Sequence, residues 1–171
     1  IPVITGRYGK DFTEEFDCSI REFVDYGGWF AAVSKHSKSQ LCQYYDVDPN
    51  RVTVTYPGID HSFFVRNRDP MLGNAVRVKY GLGEAPFILS LSRVSERKTL
   101  ETLASSFLTL IQGGMDKEIN LVIAGAEVSN GREFLETLAL VYRNKHLARR
   151  IKLIGYVSDP CLPILYSEAL A

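Results

Sequence analysis

The stretch that most constrains the fold of this sequence runs from Pro86 to Leu100, PFILSLSRVSERKTL. It begins with apolar residues at 87, 88, 89 and 91, the pattern of a short buried strand. The period then changes, and apolar residues recur at the spacing of one helical face: Leu100, Leu103, Ala104, Phe107, Leu110 and Ile111. The stretch therefore predicts a strand, a tight polar loop and an amphipathic helix, as found in α/β sheets.

The polar loop carries three basic residues at the predicted N-terminus of this helix: Arg93, Arg97 and Lys98. Cations are disfavoured there because that end of the helix macrodipole is positive, and a bound anion would remove the conflict. Ligands of open α/β sheets lie outside the carboxyl ends of strands, where such loops lie. We therefore predict that Arg93 and Lys98 clamp a phosphate together with backbone N–H groups. The alternative is that Arg97 and Lys98 are solvated beside acidic neighbours, in pairs that contribute only ~0–1 kcal/mol.

Composition excludes several classes of partner and site. Lys and Arg total 20 and Asp and Glu also total 20, so nucleic acid is not a predicted partner. No apolar run approaches the ~20 residues of a transmembrane helix. The cysteines are odd in number and far apart, which fits a reducing compartment and predicts a cytoplasmic location: Cys18, Cys42 and Cys161. No Cys and His cluster has metal-ligand spacing, so no metal site is predicted.

Strands and helices alternate along the rest of the chain. A strand at 1–5, a helix at about 12–26, a strand at 29–33, a helix after the N-cap Ser34 and a strand at 51–56 are predicted. The strand at 29–33 lacks polar alternation and is expected to be covered on both faces. Strands then recur at 87–91, 121–124 and 151–154, a spacing of about 30 residues that is typical of βαβ units. Asp159 as N-cap and Pro160 as first helical residue predict the last helix.

Several catalytic and cofactor motifs are absent from the sequence. No strand is followed by the dinucleotide fingerprint G-x-G-x-x-G or by the P-loop G-x-x-x-x-G-K-[ST]. No G-x-S-x-G nucleophile elbow is present either. The residues alone thus predict a doubly wound nucleotide- or phosphate-binding fold.

Five segments resemble, in order and spacing, the retaining glycosyltransferases of the GT-B fold, of the group 1 or family 4 type. Residues 32–52 and the run Tyr56-Pro57-Gly58-Ile59-Asp60 resemble the close of their N-terminal domain. The run 88–93 with Arg97-Lys98 is similar to the start of their donor-binding domain. Residues 121–125 and 151–157, with Leu165-Tyr166, continue that pattern, so the resemblance covers about residues 29–171.

The resemblance implies an α/β fold of two Rossmann-like, GT-B type parallel-sheet layers, both incomplete in this chain. Residues 1–65 would be the C-terminal part of the acceptor-side domain, and residues 66–84 the interdomain linker. Residues 85–171 would be the first part of the donor-binding domain. Because Ile1-Pro2-Val3-Ile4 reads as a strand already in progress, we expect the chain to be a central fragment.

The resemblance also implies substrates and site residues. The donor would be a nucleoside-diphosphate sugar, which is a substrate and not a cofactor, and the acceptor a carbohydrate or other glycosyl acceptor. Arg93 and Lys98 would hold the diphosphate and stabilise the leaving group, which is an electrostatic role. Neither a metal nor a cofactor is implied. The other implied donor-binding positions are Ser92, Gly125, Tyr156, Val157 and Leu165, with the backbone at 156–157 against the nucleobase.

Some residues depart from the family's pattern. Ser92 and Thr99 stand where glycines are usual, and Gly6-Arg7-Tyr8 stands where an acceptor-side histidine is common. The family's pair of glutamates would fall beyond Ala171, and Glu168 does not take their position. We interpret three histidines as solvated or packing residues: His36, His61 and His146. The fragment is therefore not expected to turn over substrate by itself.

Two other functions stay open at this point. A non-catalytic module could keep the fold and an anion site, and a same-fold epimerase or phosphorylase could act on related substrates. Exposed strand edges and uncovered apolar faces predict self-association of a fragment. Peripheral membrane contact is a further expectation for the whole protein.

Overall fold

The computed structural model describes residues 8–92, 98–114, 118–125 and 149–171. It divides into two compact units, Ile1–Ile59 and Asp60–Ala171. Elements are numbered in chain order within the described residues. Each unit is an α/β arrangement with a parallel sheet, as the sequence pattern predicts.

The described residues of the first unit form two helices and a two-stranded parallel sheet. Its elements are α1 (Lys10–Asp25), β1 (Phe30–Ala32), α2 (Lys35–Tyr45), a 3-10 turn (Pro49–Arg51) and β2 (Val52–Val54). Phe30 pairs with Val52 and Ala32 with Val54. The helices predicted at about 12–26 and after Ser34 are therefore confirmed, as are the strands predicted at 29–33 and 51–56, which are shorter than predicted. The strand predicted at 1–5 lies outside the described residues.

Side chains with hydrogen-bonding capacity hold the loops of this unit. Ser34 is the N-cap of α2, and its Oγ accepts from the Ser37 N–H at 3.0 Å, as its position predicts. Lys38 donates to the carbonyls of Pro49 and Val52, both at 2.7 Å. These bonds fix α2 against the turn that leads into β2.

The strand β1 is not covered on both faces, contrary to expectation. Ala32 is buried, whereas Ala31 is exposed. Trp29 and Val33, which flank the strand, are 71% and 58% exposed. The run lacked polar alternation because its exposed side chains are also apolar.

A charged and aromatic contact joins α1 to α2. Arg21 lies 2.8 Å from Asp17 and places its guanidinium 5.3 Å from the ring centroid of Tyr45. Asp17 Oδ1 and the Tyr45 hydroxyl are buried without a hydrogen bond of standard geometry among the described residues. Burial first, and the Asp17 carboxylate second, raise the pKa of Tyr45 to about 12. Arg21 lowers the pKa of Asp17 in turn.

The second unit contains a three-stranded parallel sheet. Its elements among the described residues are α3 (Pro70–Lys79), β3 (Phe87–Leu91), α4 (Leu100–Gln112), β4 (Asn120–Ala124), β5 (Ile151–Gly155), a 3-10 turn (Asp159–Cys161) and α5 (Leu162–Glu168). The strand order is β3-β4-β5. The predicted strands are confirmed, and β4 is fully buried, as expected of a central strand covered on both faces.

The core side of α4 differs by one position from the predicted face. Leu100, Ala104, Phe107 and Ile111 are buried as predicted. Leu108 is also fully buried, whereas Leu110 is 55% exposed. Because positions 108 and 110 are both leucine, the apolar pattern does not decide which of them faces the core. Packing against β4 and β5 buries Leu108.

The helix α3 lies within the stretch that we interpreted as an interdomain linker, 66–84. Its buried Val76 packs in one core cluster with Phe87 and Leu165. The turn after it is held by Lys152, which donates to the carbonyls of Gly81 and Leu82 at 3.0 and 2.7 Å. The assignment of 1–65 and 85–171 to acceptor and donor domains stays a prediction.

The start of the last helix corrects one prediction. Ser158, and not Asp159, is the N-cap of the 3-10 turn that precedes α5. The Ser158 side chain makes no capping bond, since its Oγ donates instead to the sulfur of Cys161 at 3.3 Å. Within the described residues, no helix has the length and apolar character needed to cross a bilayer.

Candidate functional site

The carboxyl ends of β3, β4 and β5 lie side by side. Leu91 pairs with Ala124, which pairs with Gly155 after a register shift. The Ser92 N–H donates to the Ala124 carbonyl at 2.7 Å, and the Gly125 N–H donates to the Gly155 carbonyl at 2.8 Å. The structure thus brings Ser92, Gly125 and Tyr156, all predicted donor-binding residues, to one edge of one sheet.

The chain returns to the other side of β3 after α5. Leu170 donates its N–H to the Phe87 carbonyl at 2.9 Å, and Leu89 donates its N–H to the Ala171 carbonyl at 2.7 Å. The three-stranded sheet therefore grows from β3 toward β5, and the chain then reverses so that Leu170 and Ala171 bond to the opposite side of β3 without forming a regular strand. Such a reversal is a topological switch point, and the crevice beside it, at the carboxyl ends, is where open α/β sheets bind ligands.

The backbone at the start of α4 is strained. Thr99 is the N-cap of the helix with φ +48° and ψ +40°, the left-handed region, and its side chain makes no capping bond. A β-branched residue is rarely found there, whereas glycine adopts it freely. Thr99 is one of the two positions where the resembling family usually has glycine, so the chain keeps the glycine-like conformation without the glycine.

Lys98 lies immediately before this N-cap and is exposed. A cation at the positive end of α4 is unfavourable in the absence of an anion. The first N–H groups of a helix also have no partner inside the helix. Lys98 and the N-terminus of α4 therefore bring positive charge to this end of the helix, which the acidic Glu101 in the first turn partly offsets. Arg93, the other member of the predicted clamp, lies outside the described residues.

The two residues that follow β5 differ in exposure: one side chain is exposed and the other is buried. Gly155 has φ +66°, and the chain turns there so that Tyr156 is 67% exposed while Val157 is 4% exposed. The ring of Tyr156 is thus available at the carboxyl edge, and Val157 fixes the backbone in the core. Contact between this backbone and a nucleobase stays a prediction.

Leu165 lies in the core of the second unit and has no exposed surface. Leu165 packs with Phe87 and Val122. A direct contact between Leu165 and the donor stays a prediction.

The sequence analysis did not predict the return of residues 169–171 to β3. The only local signal was the apolar run Ala169-Leu170-Ala171, which is too short to predict a strand. Among the described residues, no three His, Cys, Asp or Glu side chains come together as metal ligands do.

Solved structures resemble this chain over most of its length. A glycosyltransferase from Rickettsia africae ESF-5 has a TM-score of 0.70 at 22% identity and covers 88% of this chain. HepE of Anabaena, solved with UDP-glucose, has a TM-score of 0.64 at 18% identity over 83% of this chain. WaaG, a glycosyltransferase involved in lipopolysaccharide biosynthesis, has a TM-score of 0.59 at 14% identity over 81%. The fold is of the GT-B type.

The GT-B likeness covers only part of each of those proteins. The chain spans 40% of the Rickettsia enzyme, 36% of HepE and 35% of WaaG. No family model and no curated protein matches the chain. The GT-B fold expected from the sequence is therefore confirmed, and the activity is a matter for proposal.

Proposed function

We propose that this chain is the central part of a retaining glycosyltransferase that uses a nucleoside-diphosphate sugar as donor. The observation that carries the proposal is the switch point at β3, where Ser92, Gly125 and Tyr156 share one carboxyl edge beside the N-terminus of α4. That edge combines close backbone approach, an exposed aromatic ring and positive charge. A diphosphate joined to a nucleoside needs all three.

The catalytic role of the chain in this proposal is electrostatic. Lys98, with Arg93, neutralises the charge that develops on the diphosphate as the sugar leaves. The N–H groups at the start of α4 contribute in the same direction because they point toward the anion. No acid or base among Ser92, Gly125 and Tyr156 is needed for this step. The carboxylates that orient the sugar would come from outside residues 1–171.

The first nucleotide to test is UDP. HepE was crystallised with UDP, with UDP-glucose and with UDP and glucose. We propose a nucleotide sugar as donor, a carbohydrate or other hydroxyl compound as acceptor, and a cytoplasmic location with peripheral membrane contact of the whole protein.

The test is calorimetric titration of the chain at low salt with UDP, GDP, ADP and inorganic pyrophosphate. One nucleoside diphosphate is expected to bind saturably. Lys98→Ala should weaken that binding by about tenfold to a hundredfold, because one charge-assisted hydrogen bond contributes ~1.5–3 kcal/mol. Arg93→Ala tests the second member of the clamp in the same way.

A matched control is Arg149→Ala. Arg149 is an exposed cation that lies two residues before β5, at the amino end of the same sheet. Its removal changes the net charge as Lys98→Ala does, but it should leave binding unchanged. Equal losses in the two variants would show a general charge effect and would contradict the assigned site. Binding of pyrophosphate and of every nucleotide with one affinity would favour a simple anion-binding module.

A further inference from the structure

Four polar side chains meet where α3 ends and the 3-10 turn before α5 begins. We name them the Cys161 cluster: Lys79, Tyr80, Ser158 and Cys161. The Cys161 sulfur accepts from Lys79 Nζ at 3.5 Å and from Ser158 Oγ at 3.3 Å. The Ser158 N–H donates to the Tyr80 hydroxyl at 3.2 Å. The proposed donor site uses none of these four side chains.

The cluster favours the charged form of both partners in the Lys79–Cys161 pair. Ser158, by donating to the sulfur, lowers the pKa of the Cys161 thiol, and Tyr80 and Lys79 add to this effect against the opposing effect of burial. The bond to Cys161 in turn raises the pKa of Lys79. The geometry is therefore that of a sulfur that accepts from an ammonium group and from a hydroxyl, an arrangement that favours the thiolate form.

The other two cysteines have different surroundings. Cys18 is exposed, but it donates to the Glu22 carboxylate at 3.5 Å, and this contact raises the pKa of its thiol. Cys42 is half-buried beside the core of the first unit. The thiolate is the nucleophile, so the reactivity of a cysteine depends on the pKa of its thiol as well as on its exposure. Cys18 is exposed, but it is therefore not expected to be the most reactive of the three.

We propose that Cys161 is a site of oxidation by peroxides. The thiolate attacks one peroxide oxygen, so an S–O bond forms while the O–O bond breaks. The sulfur is oxidised by two electrons to a sulfenic acid, and the peroxide is reduced. The hydroxide that leaves takes a proton from the Lys79 ammonium group, which gives water and a neutral amine. The new S–OH group lies within reach of Lys79 and Ser158, which can hydrogen-bond its oxygen.

The experiment treats the intact, native chain with hydrogen peroxide below one equivalent in the presence of dimedone, which traps sulfenic acids. Peptide mass spectrometry then measures labelling at each cysteine over time. Cys161 should be labelled about fivefold or more faster than Cys18 and Cys42. The same measurement in concentrated urea should bring the three rates close together, because unfolding removes the cluster. Native labelling of Cys18 at the rate of Cys161, or faster, would overturn the proposal.

Variants test the mechanism. Lys79→Gln and Ser158→Ala should each slow labelling of Cys161 several-fold, whereas Lys79→Arg should retain most of the rate. Lys10→Gln, which removes an exposed lysine from α1, is the matched control and should change nothing. Thermal unfolding of each variant shows whether it is folded; if Lys79→Gln is not, Ser158→Ala decides. Unchanged Cys161 labelling in a folded Ser158→Ala or Lys79→Gln variant would reject the role of the cluster.

Discussion

Arg77 Nε lies 2.6 Å from Glu168 Oε2, and this ion pair joins residues 91 positions apart. Both side chains are largely buried, at 18% and 25% exposed. Arg77 also donates to the carbonyls of Gly83 and Ala85 at 3.0 and 3.2 Å, and its guanidinium lies 5.2 Å from the ring centroid of Phe87. One side chain of α3 thus fixes the end of α5 and the turn that leads into β3.

Replacement of Arg77 should strongly destabilise the second unit. Arg77→Met leaves the Glu168 carboxylate and two carbonyls without their donor, and we expect the free energy of unfolding to fall by about 3 kcal/mol. Glu168→Gln should lower it by about 1 kcal/mol, because the amide still accepts one hydrogen bond. Urea unfolding measures both, with the exposed Arg149→Met as control. A fall as small as that of the control would contradict this account.

Gly73 allows the Glu168 carboxylate to approach α3. A Cβ at position 73 would clash with Glu168 Oε1. In the Glu168→Ala background, Gly73→Ala should raise stability by about 0.5–1 kcal/mol, because alanine is favoured in a helix interior. In the unmodified chain this gain should vanish, since the carboxylate must move away from Arg77. A double-mutant cycle by urea unfolding measures the coupling. Equal effects of Gly73→Ala in both backgrounds would show that the carboxylate is not held there.

Thr99→Gly should stabilise the second unit. The left-handed φ at Thr99 is costly for a β-branched residue and free for glycine, and the side chain makes no capping bond. We expect a gain of about 0.5–1 kcal/mol after the greater entropy of unfolded glycine is subtracted. Thr102→Gly, three residues later in α4, should instead lower stability by about 0.3–0.5 kcal/mol. Thermal unfolding compares them, and a loss of stability in Thr99→Gly would contradict the strain.

The stability of the first unit should fall between pH 10 and pH 12. Burial and Asp17 raise the pKa of Tyr45 to about 12, whereas an unfolded tyrosine titrates near ~10. In that window the unfolded state has lost a proton that the native state keeps, so stability falls as pH rises; below pH ~10 the effect is absent. Tyr45→Phe should reduce this fall, as measured by urea unfolding across the window. Tyr26→Phe, at a residue that is 90% exposed, should leave it unchanged.

Local signals predicted the elements of the fold well. The strand at Phe87–Leu91 was predicted with its observed bounds, because an apolar run between Pro86 and a polar loop leaves little choice. Ser34 was predicted as an N-cap because one hydroxyl and a neighbouring N–H suffice to make one. The carboxyl-edge positions of Ser92, Gly125 and Tyr156 followed from parallel pairing alone.

Contacts between residues that are far apart in the chain could not be predicted from the sequence. Glu168 looked like an unassigned acid, because nothing near it in sequence shows that Arg77 is its partner. The choice of Leu108 over Leu110 as a core residue depends on how α4 rotates against the sheet, which periodicity alone does not fix. Thr99 gave no sign of its left-handed backbone except its departure from a family glycine.

The hydrogen bonds that Leu170 and Ala171 make to β3 have a consequence for the order of folding during synthesis. Phe87 and Leu89 are made early, and they bond on one side to β4 and on the other to residues more than 80 positions later. On the ribosome, β3 therefore remains an edge strand until α5 and the three residues after it have left the exit tunnel. The strand beside the proposed donor crevice is the first described strand of its sheet to be translated, and its second side is bonded only after β4 and β5 have been made.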